Sequence, residues 1–564
     1  MKTKALYLTV VFGMMLGFAS CDLNYFPNDE LTGNSLLSTE TGPEAVINGC
    51  YSMMKEEYAY VDPYESGNTY VRHYFQMAEF PADNTCLSGE TSDHLFEAAC
   101  YKCFDNMKNI SHLWWISYKI IFSANTVIEG VKEGESADHD QILGEAYFLR
   151  AMMHFNLVTL FARPYVMGRE NPGVILRTST NTTETTRATV GEVYDQVVAD
   201  LIKAKGLMTV RDAKKYTSCA YGSKAAAQGL LSRVYLYMEE NQKVLDEIAE
   251  MGDPVSHLDP DYPNYFANAL TSQETLFACA HTALESRGSG SIGSMYNGDG
   301  GGWGEVYPSA PLMNLYERYP QDIRLDYIVP VVETDVAHYE KWIGKPSIFF
   351  PYKADNKDFR SNKWETLQQD ATGKYCELGG KRYDVKEKLV NGEYTEYYVT
   401  YGGEDCAARL FDYFPARRED NPIMYVTKFS YQGGDPQLSS PVFLRWAEIV
   451  LNRAEANAKL GNDAAALADV DAIRTRAGIP SEGMFSTNMH GYTSVLDIVL
   501  DERRMELAFE GHRRFDVYRN KRTMDRRFPG IHPWEEIEYT ADKIQYPIPY
   551  VETSVSHVPQ NPGY

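Results

Sequence analysis

The sequence predicts a mainly α-helical protein in which tetratricopeptide-like helix pairs form a scaffold and a loop-rich insertion contains short strands. Apolar residues recur at steps of three and four in two separate blocks, about 39–255 and 441–527, as they do along one face of a helix. Between these blocks, the region of about 256–440 is rich in Gly, Pro, Tyr and Asp and has little helical period. We therefore expect a single domain over residues 39–564, with the two helical blocks as its scaffold.

Residues 1–20 are predicted to be a secretory signal peptide. Lys2 and Lys4 supply a positive start, the run 5–18 is largely apolar, and small residues precede Cys21. The run is shorter than the roughly 18 apolar residues that a membrane-spanning helix needs. The sequence FASC, which ends at Cys21, resembles the lipobox of bacterial lipoproteins and implies cleavage before Cys21 and acylation of its thiol. An ordinary signal peptide followed by an incidental cysteine is the alternative.

Residues 21–38 are predicted to form a lipidated tether, because Asn, Asp, Pro and Gly interrupt any regular period. No later segment is long and apolar enough to span a bilayer, so membrane attachment is expected only through Cys21. The net charge of −24 at pH 7 argues against nucleic acid as a partner, since binding phosphates requires clustered Lys and Arg. It also argues against general adhesion to anionic lipid.

Six helices are predicted in the first block. Thr41 is a candidate N-cap for the first helix, and the second helix covers about 110–131. The third has the clearest apolar stripe, which runs from Ile142 to Leu160. The remaining three are predicted at 190–207, 222–239 and 241–251.

Three helices are predicted in the second block. An apolar stripe runs from Phe443 to Ala458, and a glycine turn follows it. The second helix ends near Gly478, and the third spans about 494–510 before Gly511 stops it. Helix, short glycine turn and helix, with alanine at close-packing positions, resembles tetratricopeptide pairs, which stack to bury their apolar faces.

The insertion is predicted to contain short strands, and the cysteines are predicted to form no disulfide scaffold. The clearest strand in the insertion is 397–401, where β-branched and aromatic residues precede a Gly-Gly turn. Apart from Cys21 the chain has eight cysteines, too few for a disulfide scaffold in a chain of this size. Cys100 and Cys103 form an isolated CxxC, for which free thiols or one local bridge are expected.

Three glutamates near the end of the second block are the strongest candidates for catalytic carboxylates. Glu502, Glu506 and Glu510 lie four residues apart among several arginines. A glycosidase needs two carboxylates about 5–10 Å apart across a sugar, whereas this arrangement fits a structural ion-pair network. The sequence also lacks HExxH, GxSxG, Walker A and dinucleotide-binding motifs. We therefore expect neither an enzyme nor a cofactor.

Several longer segments resemble those of one family when they are taken in order along the chain. Together with Cys21, they resemble the SusD/RagB family of Bacteroidetes outer-membrane lipoproteins over nearly all of the mature chain. The segments are GEAYFLRA at 144–151, FLRWAEI at 443–449, DERRMEL at 501–507, FEGHRRFD at 509–516, YPIP at 546–549 and QNPGY at 560–564.

The resemblance implies a tetratricopeptide-like helical fold and an outer-membrane lipoprotein that faces the cell exterior. It also implies binding of glycans or, in some members, other nutrients, and a SusC-like TonB-dependent transporter on which the protein acts as a lid without doing chemistry. The predicted function is therefore capture of a polysaccharide or oligosaccharide and its delivery to that transporter. The alternatives are a surface glycoside hydrolase and a binder of non-glycan nutrients such as peptides.

The best candidate for ligand contact is the Gly-rich stretch 288–307, within the region of about 256–440 that we expect to face the ligand. The apolar C–H face of a sugar stacks on aromatic rings, and its hydroxyls need amides and carboxylates. The predicted contacts are Trp303, Tyr296, Tyr307, Asn297 and Asp299. The alternative for Trp303 is a packing anchor. Asn297, Asp299 and Glu305 could ligate calcium, but their spacing does not match an EF-hand, and no metal is expected.

A second candidate set lies before the predicted helix 110–131, in sequence without a clear period. Its members are Arg72, Tyr74, Asn84 and Tyr101. The resemblance implies that loops here and near the Gly-rich stretch contribute to the ligand face. An ordinary solvated loop is the alternative.

Overall fold

The computed structural model describes residues 37, 39, 41–57, 67–91, 93–183, 185–209, 218–353, 360–390 and 394–564. The predicted signal peptide, Cys21 and nearly all of the predicted tether lie outside the described residues. Within the described part, no helix has both the length and the apolar character needed to cross a bilayer. The eight described cysteines, including Cys100 and Cys103, are free thiols.

The predicted helical scaffold is confirmed. The α-helices of the described residues are α1 Gly42–Met53, α2 Tyr70–Glu79, α3 Leu95–Ala99, α4 Lys108–Gly130, α5 Ala137–Phe161, α6 Val190–Leu207, α7 Lys224–Tyr237, α8 Asn241–Met251, α9 Ile292–Tyr296, α10 Ala310–Tyr316, α11 Val336–Tyr339, α12 Trp446–Lys459, α13 Asp463–Arg476, α14 Val495–Glu506, α15 Arg513–Arg519 and α16 Tyr550–Ser554.

Local capping explains where the long helices begin. The Thr189 hydroxyl accepts a hydrogen bond from the Glu192 N–H, and the Glu192 carboxylate accepts one from the Thr189 N–H, so α6 starts with a capping box. Ser136 and Ser223 accept in the same way at the starts of α5 and α7. The predicted boundaries of the first-block helices agree with the structure to within a few residues.

Successive helices pack side by side from α4 to α8, and α8 packs against α12, which in turn contacts α13 and α14. The two helical blocks, far apart in sequence, therefore form one scaffold. Glycine permits one of the close approaches: a Cβ added at Gly144 on α5 would lie 2.4 Å from Cγ of Met208, just after α6. One large apolar cluster extends from Ile47 to Val558.

Two predictions for the second block are wrong in detail. Phe443 lies on a strand, Val442–Arg445, because all four residues are buried and pair with Thr275–Ala278. The helix predicted to reach residue 510 ends at Glu506. The chain turns there because Phe509 adopts a φ of +72°, which lets its N–H donate to the Glu79 carboxylate.

The strands of the described residues are mostly short. They are β1 Thr85–Leu87, β2 Pro172–Ile175, β3 Arg187–Thr189, β4 Thr275–Ala278, β5 Val306–Pro308, β6 Ile328–Pro330, β7 Ser347–Lys353, β8 Arg360–Thr366, β9 Gln368–Asp370, β10 Gly373–Leu378, β11 Lys381–Val390, β12 Tyr394–Tyr401, β13 Glu404–Phe411, β14 Arg417–Arg418, β15 Asn421–Pro422, β16 Met424–Val426, β17 Val442–Arg445, β18 Met524–Asp525 and β19 Glu536–Ile537.

The insertion contains a larger sheet than the short strands that the sequence predicts. Seven antiparallel strands pair in the order β8-β7-β13-β12-β11-β10-β9, and β11 is ten residues long. The sheet has an apolar cluster of its own, in which Phe350 of β7, Cys376 of β10 and Val399 of β12 meet. Polar and charged residues alternate with these buried positions, so the local composition resembles that of loops.

The glutamates of the second block belong to a buried ion-pair network, as predicted. The guanidinium of Arg445 lies 2.7 Å from a carboxylate oxygen of each of Glu274, Glu506 and Glu510. All four side chains are almost completely buried. The carboxylates are therefore neutralised inside the scaffold, where they hold its parts together and reach no sugar.

Replacing Arg445 by Met should lower the free energy of unfolding by about 3–5 kcal/mol, because three buried glutamates would lose the cation that they share and keep only other partners such as Arg476 and Lys428. Arg527→Met is the control. Arg527 pairs with Asp525 at 2.9 Å on the surface, where both side chains are about half exposed, so its loss should leave the free energy of unfolding nearly unchanged. Denaturant unfolding followed by circular dichroism measures both. Equally small losses would contradict the structural role of the network.

Candidate ligand-binding site

A polar cavity of about 370 Å³ opens beside the Gly-rich stretch. It lies between α2, the start of α4 and the loop that precedes β5. Two of the predicted contacts, Trp303 and Arg72, both line it. The full set of lining residues is Asn68, Arg72, His73, Gln76, Thr91, Asp93, His94, Lys108, Asn109, Ser289, Met295, Trp303 and Glu305.

Trp303 presents an aromatic ring at this cavity. Its side chain is 54% exposed, and its indole N–H donates to the carbonyl oxygen of Ser289 at 3.0 Å. The Trp303 carbonyl oxygen accepts from Arg418 at 2.7 Å, which fixes the backbone. Gly302 is required here because a Cβ would lie 2.0 Å from the carbonyl oxygen of Asn297. The ring is thus held in place by one edge while about half of the side chain remains open to solvent.

Arg72 forms part of the opposite wall. It lies on α2, which is buried along its whole length, and not in the irregular segment that the sequence predicts. Val71, Tyr74, Phe75 and Ala78 recur at steps of three and four, so the helical period is present in the sequence although the prediction missed it. The Arg72 guanidinium donates to the Asp93 carboxylate at 3.0 Å, which brings a cation and an anion to the cavity together.

Amide and imidazole groups on α2 and α4 complete the wall, and sequence reasoning missed them. The ring Nε2 of His73 lies 3.1 Å from the side-chain oxygen of Asn68. The side-chain N–H₂ of Asn109 is buried and has no hydrogen-bond partner among the described residues. It is therefore a donor available to a ligand. The exposed ring of Phe104 packs edge-on against His94 at 6.0 Å and adds a second aromatic surface beside the cavity.

Burial sets the protonation of the cavity wall. It lowers the pKa of His112, which packs against His73, to about 4. Burial and then the neighbouring His112 imidazole lower the pKa of His73 well below its ordinary value. Burial raises the pKa of Glu305, and the guanidinium of Arg418, 2.9 Å away, opposes that rise. Near pH 7 His73 and His112 are therefore neutral, and the ionisable side chains of Arg72, Lys108, Asp93 and Glu305 line the cavity beside them.

Three residues of the Gly-rich stretch are not exposed as the sequence predicts. Tyr296 is buried and stacks on Phe429 at 5.7 Å between ring centroids. Tyr307 is buried on β5, in a small cluster with Phe528. Asn297 is buried and donates to the Ser430 hydroxyl at 3.2 Å. Their side chains therefore pack inside the loop and stabilise it. The sequence does not reveal this, because local composition does not distinguish a packed ring from an open one.

Asp299 is exposed but does not line the cavity. Its carboxylate accepts from the Tyr431 hydroxyl at 3.0 Å. Glu305 pairs with Arg418, and Asn297 is buried in the loop, so the three oxygen ligands considered for calcium serve separate contacts. Within the described ranges, no three or more His, Cys, Asp and Glu side chains are grouped so that they could hold a metal ion.

The remaining predicted contacts near α2 are Tyr74, Asn84 and Tyr101, and each contacts another side chain of the protein. Tyr74 is buried against Phe443 at 5.4 Å between ring centroids. The buried Asn84 side-chain oxygen accepts from Arg504 at 2.8 Å. The Tyr101 hydroxyl hydrogen-bonds to the Tyr518 hydroxyl at 2.8 Å. Each of the three is engaged by a residue distant in sequence, and none of them lines the cavity.

The fold and the cavity together define a helical ligand-binding protein of the SusD class. The chain belongs to the SusD family: residues 272–564, just over half of its length, match the family model described as "SusD family". Residues 30–236 match a second model, described as "Starch-binding associating with outer membrane".

Relatives and solved structures match nearly the whole chain. SusD-like protein P2 of Formosa agariphila is 24% identical over 98% of both chains, and SusD-like protein P38 of the same organism is 24% identical over 93% of both. A SusD superfamily protein from Bacteroides thetaiotaomicron has a TM-score of 0.68, with 23% identity over 92% of this chain and 99% of that one. A laminarin-binding SusD-like protein has a TM-score of 0.60, with 21% identity over 93% and 100%.

The buried histidine behind the cavity should contribute to acid sensitivity. Because folding lowers the pKa of His112, its contribution to stability is complete above about pH 6.5 and is lost as the pH falls towards 4. As the pH falls over that range, the free energy of unfolding of His112→Phe should therefore decrease by about 3 kcal/mol less than that of the wild type. Denaturant unfolding at several pH values measures this difference.

The control for this experiment is Leu113→Val on α4, which also alters a buried side chain but removes no titratable group. This variant should follow the pH dependence of the wild type. Parallel curves for His112→Phe and the wild type would contradict the assignment of a strongly lowered pKa to His112.

Proposed function

We propose that the protein is a cell-surface glycan-binding lipoprotein that captures a polysaccharide or oligosaccharide and delivers it to a SusC-like TonB-dependent transporter. The observation that carries the proposal is the half-exposed ring of Trp303 at the mouth of a polar cavity. An aromatic ring stacks on the C–H face of a sugar, while the surrounding polar groups bind its hydroxyls.

The chemistry of the cavity suits hydroxyl groups. A hydroxyl both donates and accepts, so it needs donors and acceptors side by side. Arg72 and Asn109 supply N–H donors, and Asp93 and Glu305 supply carboxylate oxygens. The volume of about 370 Å³ is at the small end of the range for ligand pockets, which suits a short stretch of a sugar chain.

The comparisons support the same ligand class. The second family model is described as starch-binding and associated with the outer membrane, and one solved relative is described as laminarin-binding. Delivery to a transporter and the lipid anchor at Cys21 are proposed from family membership and from the FASC sequence. We propose no catalytic role, because Asp93 pairs with Arg72, and Glu305 pairs with Arg418.

Trp303→Ala should weaken glycan binding at least tenfold, or by about 1.4 kcal/mol, because the sugar would lose its stacking surface. Isothermal titration calorimetry against a panel that includes starch and laminarin measures the affinity. Tyr550→Ala is the matched control, since Tyr550 on α16 is 55% exposed and does not line the cavity. An unchanged affinity in Trp303→Ala would remove the cavity from the proposal, and shortened glycans after incubation would favour a hydrolase.

Cys21→Ser should move the protein from the membrane fraction to the soluble fraction, because we propose no membrane anchor other than the lipid on Cys21. Cell fractionation followed by immunoblotting measures the distribution. Cys50→Ser is the control, since Cys50 is a buried free thiol in the folded domain and its loss leaves the anchor intact. Retention of Cys21→Ser in the membrane would refute lipidation at this position.

A further inference from the structure

A second cleft of about 450 Å³ lies where the insertion sheet meets the helical body. One side is the outer face of β12 and β13, and the other is the end of α10 with the turn after it. The cleft shares no lining residue with the first cavity. Its lining is Asn314, Glu317, Arg318, Pro320, Tyr394, Thr395, Glu396, Tyr397, Tyr398, Ala407, Ala408, Arg409 and Leu410.

The strand period places aromatic rings on the cleft side of β12. Tyr394, Glu396 and Tyr398 share one face of the strand, whereas Val399 faces the apolar cluster of the sheet. The residue opposite Tyr398 on β13 is Ala407, which is exposed and has a side chain too small to cover a neighbouring ring. Tyr398 therefore keeps a partly open aromatic surface in the cleft.

An arginine connects the two walls of the cleft. Arg318 donates to the Tyr492 hydroxyl at 2.9 Å and to the Tyr394 hydroxyl at 3.2 Å, and its guanidinium lies 4.7 Å from the centre of the Tyr394 ring. Tyr492 in turn donates to the Asp501 carboxylate at 2.6 Å, on α14. This chain of contacts links the sheet to the helical scaffold, so the fold fixes the position of the two walls of the cleft.

The cleft offers both donors and acceptors with balanced charge. Two arginines, Arg318 and Arg409, line it together with two glutamates, Glu317 and Glu396, and Arg409 pairs with Glu317. The Nε groups of both arginines are buried and have no hydrogen-bond partner among the described residues. Buried N–H groups of this kind favour a ligand that brings acceptor oxygens, and the charge balance favours a neutral one.

We propose that this cleft is a second saccharide-binding site, which takes a neutral sugar chain with one ring on Tyr398 and hydroxyls on Arg318 and Arg409. The inference rests on the proposed glycan-binding function and adds a site to it. Two sites on one scaffold bind a long polymer more tightly than either site alone, provided that the chain spans both, whereas a short oligosaccharide fills only one.

The test compares a polysaccharide with a short oligosaccharide of the same sugar on the intact mature chain. Tyr398→Ala should weaken polymer binding about tenfold and change binding of the short ligand at the Trp303 cavity by less than twofold. Trp303→Ala should leave a weaker residual affinity, which the double variant loses. Calorimetry and affinity electrophoresis measure these effects.

A second variant tests the cleft without removing a side chain that the fold needs. Ala407→Lys adds a side chain at an exposed strand position and fills the space beside Tyr398 without removing any buried group. It should weaken polymer binding as Tyr398→Ala does. Leu389→Ala, at an exposed position on β11 that does not line the cleft, is the matched control and should bind like the wild type.

The outcomes separate the two proposals. If the wild type binds a glycan and both Tyr398→Ala and Ala407→Lys bind polymer like the wild type, the second site is wrong and the proposed function stands. If Trp303→Ala has no effect but Tyr398→Ala abolishes binding, the second cleft is the binding site and the assignment to Trp303 is wrong. If the wild type binds no saccharide, both proposals fail.

Discussion

The buried ion-pair network around Arg445 is the constraint on which the rest of the scaffold depends. Arg445 lies where β17 leads into α12. It contacts Glu274 before β4, Glu506 at the end of α14 and Glu510 in the turn that follows α14. These partners are 171, 61 and 65 residues away along the chain. A buried carboxylate without a counterion is strongly unfavourable, so packings that separate these segments are excluded. The network therefore fixes how the segment before β4 packs on the second helical block. A separate buried pair, Arg233 on α7 and Glu448 on α12 at 2.6 Å, joins that block to the first.

Buried arginines also fix the wall of the cavity. Arg513 and Arg504 both pair with Asp83, just after α2. Burial alone would raise the pKa of Asp83, but these two guanidiniums hold it well below its usual range. Arg514 donates to the Met77 carbonyl at 3.0 Å, inside α2 itself. The helix that carries Arg72 is thus positioned by a segment more than 400 residues later in the chain.

Periodicity predicted the scaffold because its long helices each bury one face. The predicted helix 190–207 coincides with α6, whose capping box and apolar stripe are both local features. The same reasoning missed α2, although Val71, Tyr74, Phe75 and Ala78 of this ten-residue helix recur at helical steps. It also underestimated the insertion sheet, whose cluster around Val399 is assembled from four strands.

The candidate site could be predicted only in part for a related reason. Trp303 was identified because glycines surround it, and its ring is open in the structure. Tyr296 and Tyr307 lie in the same stretch and are buried, since their neighbours come from other parts of the chain. Asn109 carries no local signal, because it contributes to the cavity only through the packing of α4 beside α2.

Some of the 41 tyrosines of the chain pack against the charged interior of the scaffold. A buried arginine needs neighbours that offer an aromatic face or an acceptor, and tyrosine supplies both in one side chain. The Arg476 guanidinium lies 3.7 Å from the centre of the Tyr262 ring, and the Arg324 guanidinium lies 5.8 Å from that of Tyr316. Tyrosines used in this way have no free face. Recognition therefore depends on which rings remain uncovered, and Tyr398 stays partly open because its cross-strand neighbour is an alanine.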